Sequence, residues 1–353
     1  MQNGKRMDER AWGSWRVRAC TAGLCVGAQV YLSGCAIGMP LALTGAWLCT
    51  LASLLFAAWL CARSRRVLAG KALSRAGYVL LALVLGLSGA FAFLSLVSFA
   101  AQTLVEQASG AWVGTAALLG VLLCALSGST GISRLSFALR YALPVLVLGL
   151  SLAAMPARVP AGMFPILGTG AMETGMAAIA MLFGAAPALM LMLAPPELAE
   201  RGGCGEDCRI PEARFFLVRV LAGGVVGAAL LFLTCASATY EAIAESSEWG
   251  ARLRMTAGEA PHEGSAQMLL VTAKLLAMQL LACNMVCAAE QALGLAFPVI
   301  SRRRTGLGLL ILLLGLSLAV SVLWGDAPAL FGAPLLAVPA ALLAAFGGRR
   351  RQA

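Results

Sequence analysis

Apolar residues run through this chain in long blocks broken by short clusters of charge. A block of about 20 mostly apolar residues is what a helix needs to cross about 30 Å of hydrocarbon at 1.5 Å per residue. Ten blocks qualify and predict membrane helices over Ala19 to Gly38, Leu41 to Ala62, Gly77 to Ala101, Ala111 to Gly128, Phe137 to Met155, Ala171 to Ala194, Phe215 to Ala238, Ala266 to Ala289, Gly306 to Trp324 and Pro328 to Gly347. Only Met39 and Pro40 separate the first two. A basic stretch precedes the first block, as in a signal peptide, but the apolar run continues through two spans and reads as an uncleaved first helix.

Composition agrees with lipid as the solvent. The 353 residues are 60% hydrophobic and 12% charged, against about 25% charged in an ordinary soluble domain. Disorder, a disulfide-framed secreted scaffold and a nucleic-acid partner are all poor readings, although the net charge is +10. That charge marks topology instead, because Lys and Arg collect in cytoplasmic loops. With the N-terminus inside, 22 of the 26 basic residues fall on the cytoplasmic side, from Lys5, Arg16 and Arg18 through Arg63 to Arg75, Arg134 and Arg140, Arg201 to Arg219, and Arg302 to Arg304, to Arg349 to Arg351. Arg158, Arg252 and Arg254 remain outside, and Lys274 lies within a block. This partition predicts a cell-membrane protein with both termini in the cytoplasm. The long outside loop, 239–264, is acidic and reads as a solvated loop, a short surface helix or a partner-binding loop.

Catalytic chemistry finds little support. The single histidine, His262, sits in that acidic loop, so no Ser-His-Asp triad or zinc-protease motif can be assembled around it. No Walker loop occurs. Nine of the eleven cysteines fall in or beside apolar blocks, where cysteine behaves as a small hydrophobe. Cys204 and Cys208, with three residues between them, lie in an inside loop without the further ligands a structural zinc site recruits, and read as reduced thiols. No cofactor or metal is expected.

Breaks near mid-membrane point to sites, because backbone that leaves a helix in lipid must be buried in protein or line a cavity. The first block crowds Gly23, Gly27, Gly34 and Gly38 around Gly27-Ala28-Gln29, with Tyr31 close by. The sixth places Phe183-Gly184-Ala185-Ala186-Pro187 at its centre, and Pro187 cannot donate a bond back to Phe183. The two blocks correspond if ten helices form two inverted repeats of five, an arrangement in which paired broken helices flank a binding site and offer free N–H groups to a carboxylate. The expected substrate-binding residues are Gly27, Ala28, Gln29, Tyr31, Phe183, Gly184, Ala185 and, from the eighth block, Asn284. The competing reading is close packing: Gly23 with Gly27, Gly34 with Gly38, and Gly223 with Gly227 keep a small-xxx-small spacing. Lys274, well inside the eighth block, and Glu173, near the outer end of the sixth, are the candidate ion-coupling or gate pair. Snorkelling of Lys274 toward the interface is the alternative.

Several motifs carry a family resemblance. Gly131-Ile132-Ser133-Arg134-Leu135-Ser136-Phe137, leading through Pro144, resembles the approach to the fifth helix in spore germination permeases, the GerAB-like B subunits of germinant receptors. These belong to the amino acid/polyamine/organocation (APC) superfamily. Phe164-Pro165-Ile166-Leu167-Gly168-Thr169-Gly170 is similar to their segment before the sixth helix, and Leu182-Phe183-Gly184, Ala194-Pro195 and Gly27 ahead of Gly45-Ala46-Trp47 also fit. Ala185 and Ala186 stand where family members usually carry an acidic residue.

The resemblance implies an all-α polytopic membrane protein in which residues 1–353 form one permease-like domain. Its fold would be a LeuT/APC-like five-plus-five inverted repeat with discontinuous helices 1 and 6. It further implies a germinant-receptor subunit in the spore inner membrane that senses, and in one version transports, a small nutrient such as an amino acid. Its partners would be a membrane A subunit and a lipoprotein C subunit. A proton-coupled amino acid transporter of the same superfamily and a non-transporting membrane scaffold subunit are the two alternatives.

Overall fold

A computed structural model describes residues 2–37, 50–61, 73–103, 119–121, 131–153, 171–193, 213–237 and 264–297. All its elements are helical: α1 Gln2–Ile37, α2 Thr50–Cys61, α3 Arg75–Thr103, α4 Gly131–Leu139, α5 Ala142–Ala153, α6 Ala171–Met181 with a 3-10 helix Leu182–Met192 directly after it, α7 Ala213–Ser237 and α8 Gly264–Ala296. The expected ninth and tenth helices, most of the fourth, the 239–263 stretch and Cys204 and Cys208 lie outside the described residues.

Among the described residues three helices are long and apolar enough to cross a membrane, within Arg75–Val97, Phe215–Leu233 and Leu269–Ala296. A fourth candidate span is the pair α4 and α5, bent by 45°. The bend follows from Pro144, which has no N–H to offer the Arg140 carbonyl four residues back, so the helix turns at Arg140 and Tyr141. Among the described residues α3 and α7 extend two residues before Gly77 and Phe215, while α8 runs two turns beyond Ala289 and α1 begins well before Ala19.

The expected break in the first helix is corrected. α1 is continuous through Gly27-Ala28-Gln29, and its glycines serve contact with α7. A Cβ on Gly27 would lie 2.5 Å from the Gly223 carbonyl oxygen, and one on Gly227 would overlap the Gly27 carbonyl. Gly23 and Gly223 make the same approach, one turn away. Two backbones touching along four glycines is the close-packing use of the small-xxx-small spacing. In the sixth segment the expected irregularity is present: the helix tightens at Leu182 into an 11-residue 3-10 helix that contains Pro187. Runs of more than three or four residues in this geometry are uncommon and mark strain or a hinge.

α1 is the hub. It packs along α7, against the 3-10 helix and on α8, while α3 lies along α8. The core between them is dense with Val26, Val30, Leu85, Met181, Leu189 and Met285, all buried. Outward faces carry Leu55, Val145 and Val225, more than half exposed, as surfaces that meet lipid do.

Candidate functional site

With 3.6 residues per turn, Gly27, Ala28 and Tyr31 share one side of α1, and Gln29, Val30 and Ser33 the other. The expected site residues therefore divide into two groups separated by the thickness of a helix.

The first group is polar and fully enclosed. Gln29 on α1 is 0% exposed, and its Oε1 accepts a hydrogen bond from Ser88 Oγ of α3 at 3.1 Å. Among the described residues its Nε2 has no partner, nor do the buried hydroxyls of Ser33, one turn further along α1, and Ser53 of α2. Gly184, at the start of the 3-10 helix, closes this region. A Cβ there would lie 3.0 Å from Ser53 Oγ and 3.1 Å from the Val30 backbone, so a side chain at this position would press the 3-10 helix away from α1 and α2 by a few tenths of an ångström. Phe183 meets Phe91 of α3 edge to face at 5.7 Å, and Ala185 is buried beside it. Ser53 Oγ of α2 and Val30 of α1 thus meet at Gly184, close to the point where the sixth segment changes helical geometry. Burying an amide or hydroxyl group without a partner costs about 1–3 kcal/mol.

The second group lines a narrow cleft between α1, α5, α7 and α8, partly open at the surface. Gly27, Ala28, Tyr31 and Lys274 all contribute to it, and the other lining residues are apolar. Lys274 is 4% exposed, and its Nζ lies 5.5 Å from the centre of the Tyr31 ring. A cation over a ring face is stabilised by the ring quadrupole, more so when water is excluded. The alternative in which Lys274 snorkels to the interface does not describe this geometry. Glu173 lies in the first turn of α6, and its side chain is outside the described residues.

Asn284 belongs to neither group. Its Nδ2 donates to Ser136 Oγ of α4 at 2.8 Å and to the Leu280 carbonyl at 2.7 Å, which pins α8 to α4. Gln279 donates to Cys283 Sγ on its own helix. Sequence reasoning passed over Ser33, Ser53 and Ser88. A serine in an apolar helix ordinarily bonds back to the carbonyl four residues earlier, as Ser95 does with Phe91 at 2.7 Å, and nothing local distinguishes the ones that do not.

No family model matches the chain, and no curated protein sequence matches it. Solved structures do. The manganese transporter of Eremococcus coleocola, in complex with an aromatic bis-isothiourea substituted compound, is 15% identical with a TM-score of 0.52, over 94% of this chain and 77% of that one. A point mutant of the same transporter gives 13% and 0.51 over the same shares. MHP1, a nucleobase-cation-symport-1 family transporter in a closed conformation with bromovinylhydantoin bound, is 14% identical with a TM-score of 0.53, over 92% of this chain and 74% of that one. The chain therefore has a polytopic helical membrane fold that these transporters share. Among its described residues no three His, Cys, Asp or Glu side chains come together as a metal site would require.

Proposed function

We propose that this protein is a permease-like membrane subunit that binds a small polar nutrient, such as an amino acid, at the enclosed group formed by Gln29, Ser33 and Ser53. The observation that carries the reading is that, among the described residues, Gln29 Nε2 and the hydroxyls of Ser33 and Ser53 are buried without hydrogen-bond partners. An amide N–H and hydroxyls can bond both a carboxylate and an ammonium group, and a zwitterion supplies both. Gly184 sits so close to Ser53 and Val30 that a ligand gains room only if the 3-10 helix shifts. A ligand bound more tightly in the shifted state then moves the population toward it, the step a sensor or a transporter needs.

The finer form of the proposal rests on the resemblance to spore germination permeases. The chain is then the B subunit of a germinant receptor in the spore inner membrane, working with an A subunit and a lipoprotein C subunit, and its fold is completed as ten helices in a five-plus-five inverted repeat. The fold shared with membrane transporters supports the permease part of this reading. The second reading, a proton-coupled amino acid transporter, is favoured by one observation: Lys274 is an ionisable group buried within α8 against Tyr31.

Uptake of radiolabelled amino acids into liposomes containing this protein alone separates the two. Binding without uptake, together with copurification of an A subunit and a lipoprotein, is the receptor's outcome. Uptake that depends on pH and is lost in Lys274→Ala is the transporter's.

A further inference from the structure

Three guanidinium groups from three elements gather at one end of the bundle. Arg219 of α7 donates through Nη1 to Tyr141 Oη at 2.9 Å and lies 5.8 Å from the Tyr141 ring and 5.3 Å from that of Phe215. Arg140, at the bend between α4 and α5, lies 4.5 Å from the same Tyr141 ring and donates to the Phe137 carbonyl. Arg16 of α1 is 5.8 Å from Phe215 and stands one turn before the buried Cys20. Among the described residues neither Arg140 nor Arg219 is paired with a carboxylate. Tyr141 is 52% exposed, so this cluster is open to the surface.

The apolar cleft begins one turn deeper on the same faces. Leu24 follows Cys20 by four residues on α1, Gly223 follows Arg219 by four on α7, and Leu143 and Pro144 follow Arg140 and Tyr141 into α5. From there the cleft passes Val226 and Leu230 and reaches Tyr31 and Lys274. A cationic surface cluster leading directly into an apolar cleft matches one kind of molecule, an anion with a long apolar chain. In a membrane protein the amphiphile at hand is lipid, and basic pockets between membrane helices bind anionic headgroups.

We propose that this protein carries a site for an anionic phospholipid, with the headgroup phosphate on Arg140 and Arg219 and one acyl chain in the cleft between α1, α5 and α7. The phosphate takes bidentate bonds from the guanidinium forks and relieves the repulsion between two like charges converging on Tyr141. The ring of Tyr141 supplies an interfacial surface at headgroup depth. A free phosphate ion shares the headgroup chemistry but leaves the cleft unused.

Native mass spectrometry of the full-length protein, titrated with dioleoylphosphatidylglycerol or dioleoylphosphatidylcholine, tests the site. The expected result is retention of the anionic lipid over the zwitterionic one by on the order of tenfold, falling by a similar factor in Arg140→Gln/Arg219→Gln. Val226→Trp, which obstructs the cleft and leaves the arginines in place, also reduces retention, and inorganic phosphate does not displace the lipid. Should the double variant fail to fold, raising the ammonium acetate concentration on the wild-type protein must weaken the anionic adduct selectively. Equal retention of both lipids, or an adduct indifferent to the arginines or to salt, overturns the proposal. So does displacement by inorganic phosphate with Val226→Trp without effect, which would leave an ion site only.

Discussion

The Gly223 carbonyl oxygen lies where a side chain on Gly27 would begin, 2.5 Å from the position of a Cβ. The contact recurs between Gly23 and Gly223 and between Gly27 and Gly227, so α1 and α7 touch backbone to backbone over two turns. Neither partner of such a contact is a flexible side-chain tip, and a larger residue can be housed only by separating the helices.

Gly27→Leu and Gly223→Leu are accordingly expected to destabilise the protein by more than about 3 kcal/mol, at or beyond the upper end of ordinary overpacking. Gly149→Ala is the control, since nothing lies within 4 Å of a Cβ at Gly149 in α5. It should be neutral or stabilising by up to about 1 kcal/mol. Thermal unfolding of the solubilised protein measures all three. Tolerance of leucine at Gly27 would show that the α1 to α7 contact is looser than described.

Asn284 and Ser136 form a buried bond between α8 and α4, with Asn284 2% and Ser136 0% exposed. Asn284→Ala strands the serine hydroxyl and should cost about 1–3 kcal/mol. Adding Ser136→Ala should recover part of that loss, giving a coupling of about 1 kcal/mol in a double-mutant cycle. Strictly additive effects would contradict the pairing.

Lys274 is buried within α8, with its Nζ 5.5 Å from the centre of the Tyr31 ring. Removing a buried charge together with its desolvation cost is often neutral or stabilising. Lys274→Met should therefore keep or raise the unfolding free energy, while Tyr31→Leu, which leaves the ammonium without the ring, should lower it by about 1–2 kcal/mol. Opposite signs for these two variants in one thermal assay are the signature of the pair. A large loss in Lys274→Met would instead point to a fully satisfied ionic network around the amine.

Much of this was legible in sequence. Gly77, Phe215 and Ala266 each open an apolar run long enough to be recognised as a span, and Pro187 close to Gly184 announced a departure from α-helix. The glycines of α1 were ambiguous because one residue serves two ends. It permits a break, and it permits a neighbouring backbone to approach. What decides is whether another helix carries matching small residues at the same spacing, and Gly223 with Gly227 did carry that signal. Gln29 stood out as an amide in an apolar helix, but Ser33 and Ser53 did not, since a serine's usual carbonyl partner lies within its own helix. Only packing reveals that these two are left without one.

The central claim is that Gln29, Ser33 and Ser53 await a polar ligand, and thermal unfolding of the purified protein with single L-amino acids at millimolar concentration tests it most directly. The account predicts that at least one amino acid stabilises the wild-type protein, by about 2.7 kcal/mol at a hundredfold excess over its Kd. It further predicts that Ser53→Ala raises the stability of the unliganded protein by up to about 1 kcal/mol, that Gln29→Leu, which strands the Ser88 hydroxyl, does not, and that both abolish the response to that amino acid. A stabilising amino acid whose effect persists undiminished in both variants, or no response to any of them in the wild type, would contradict it.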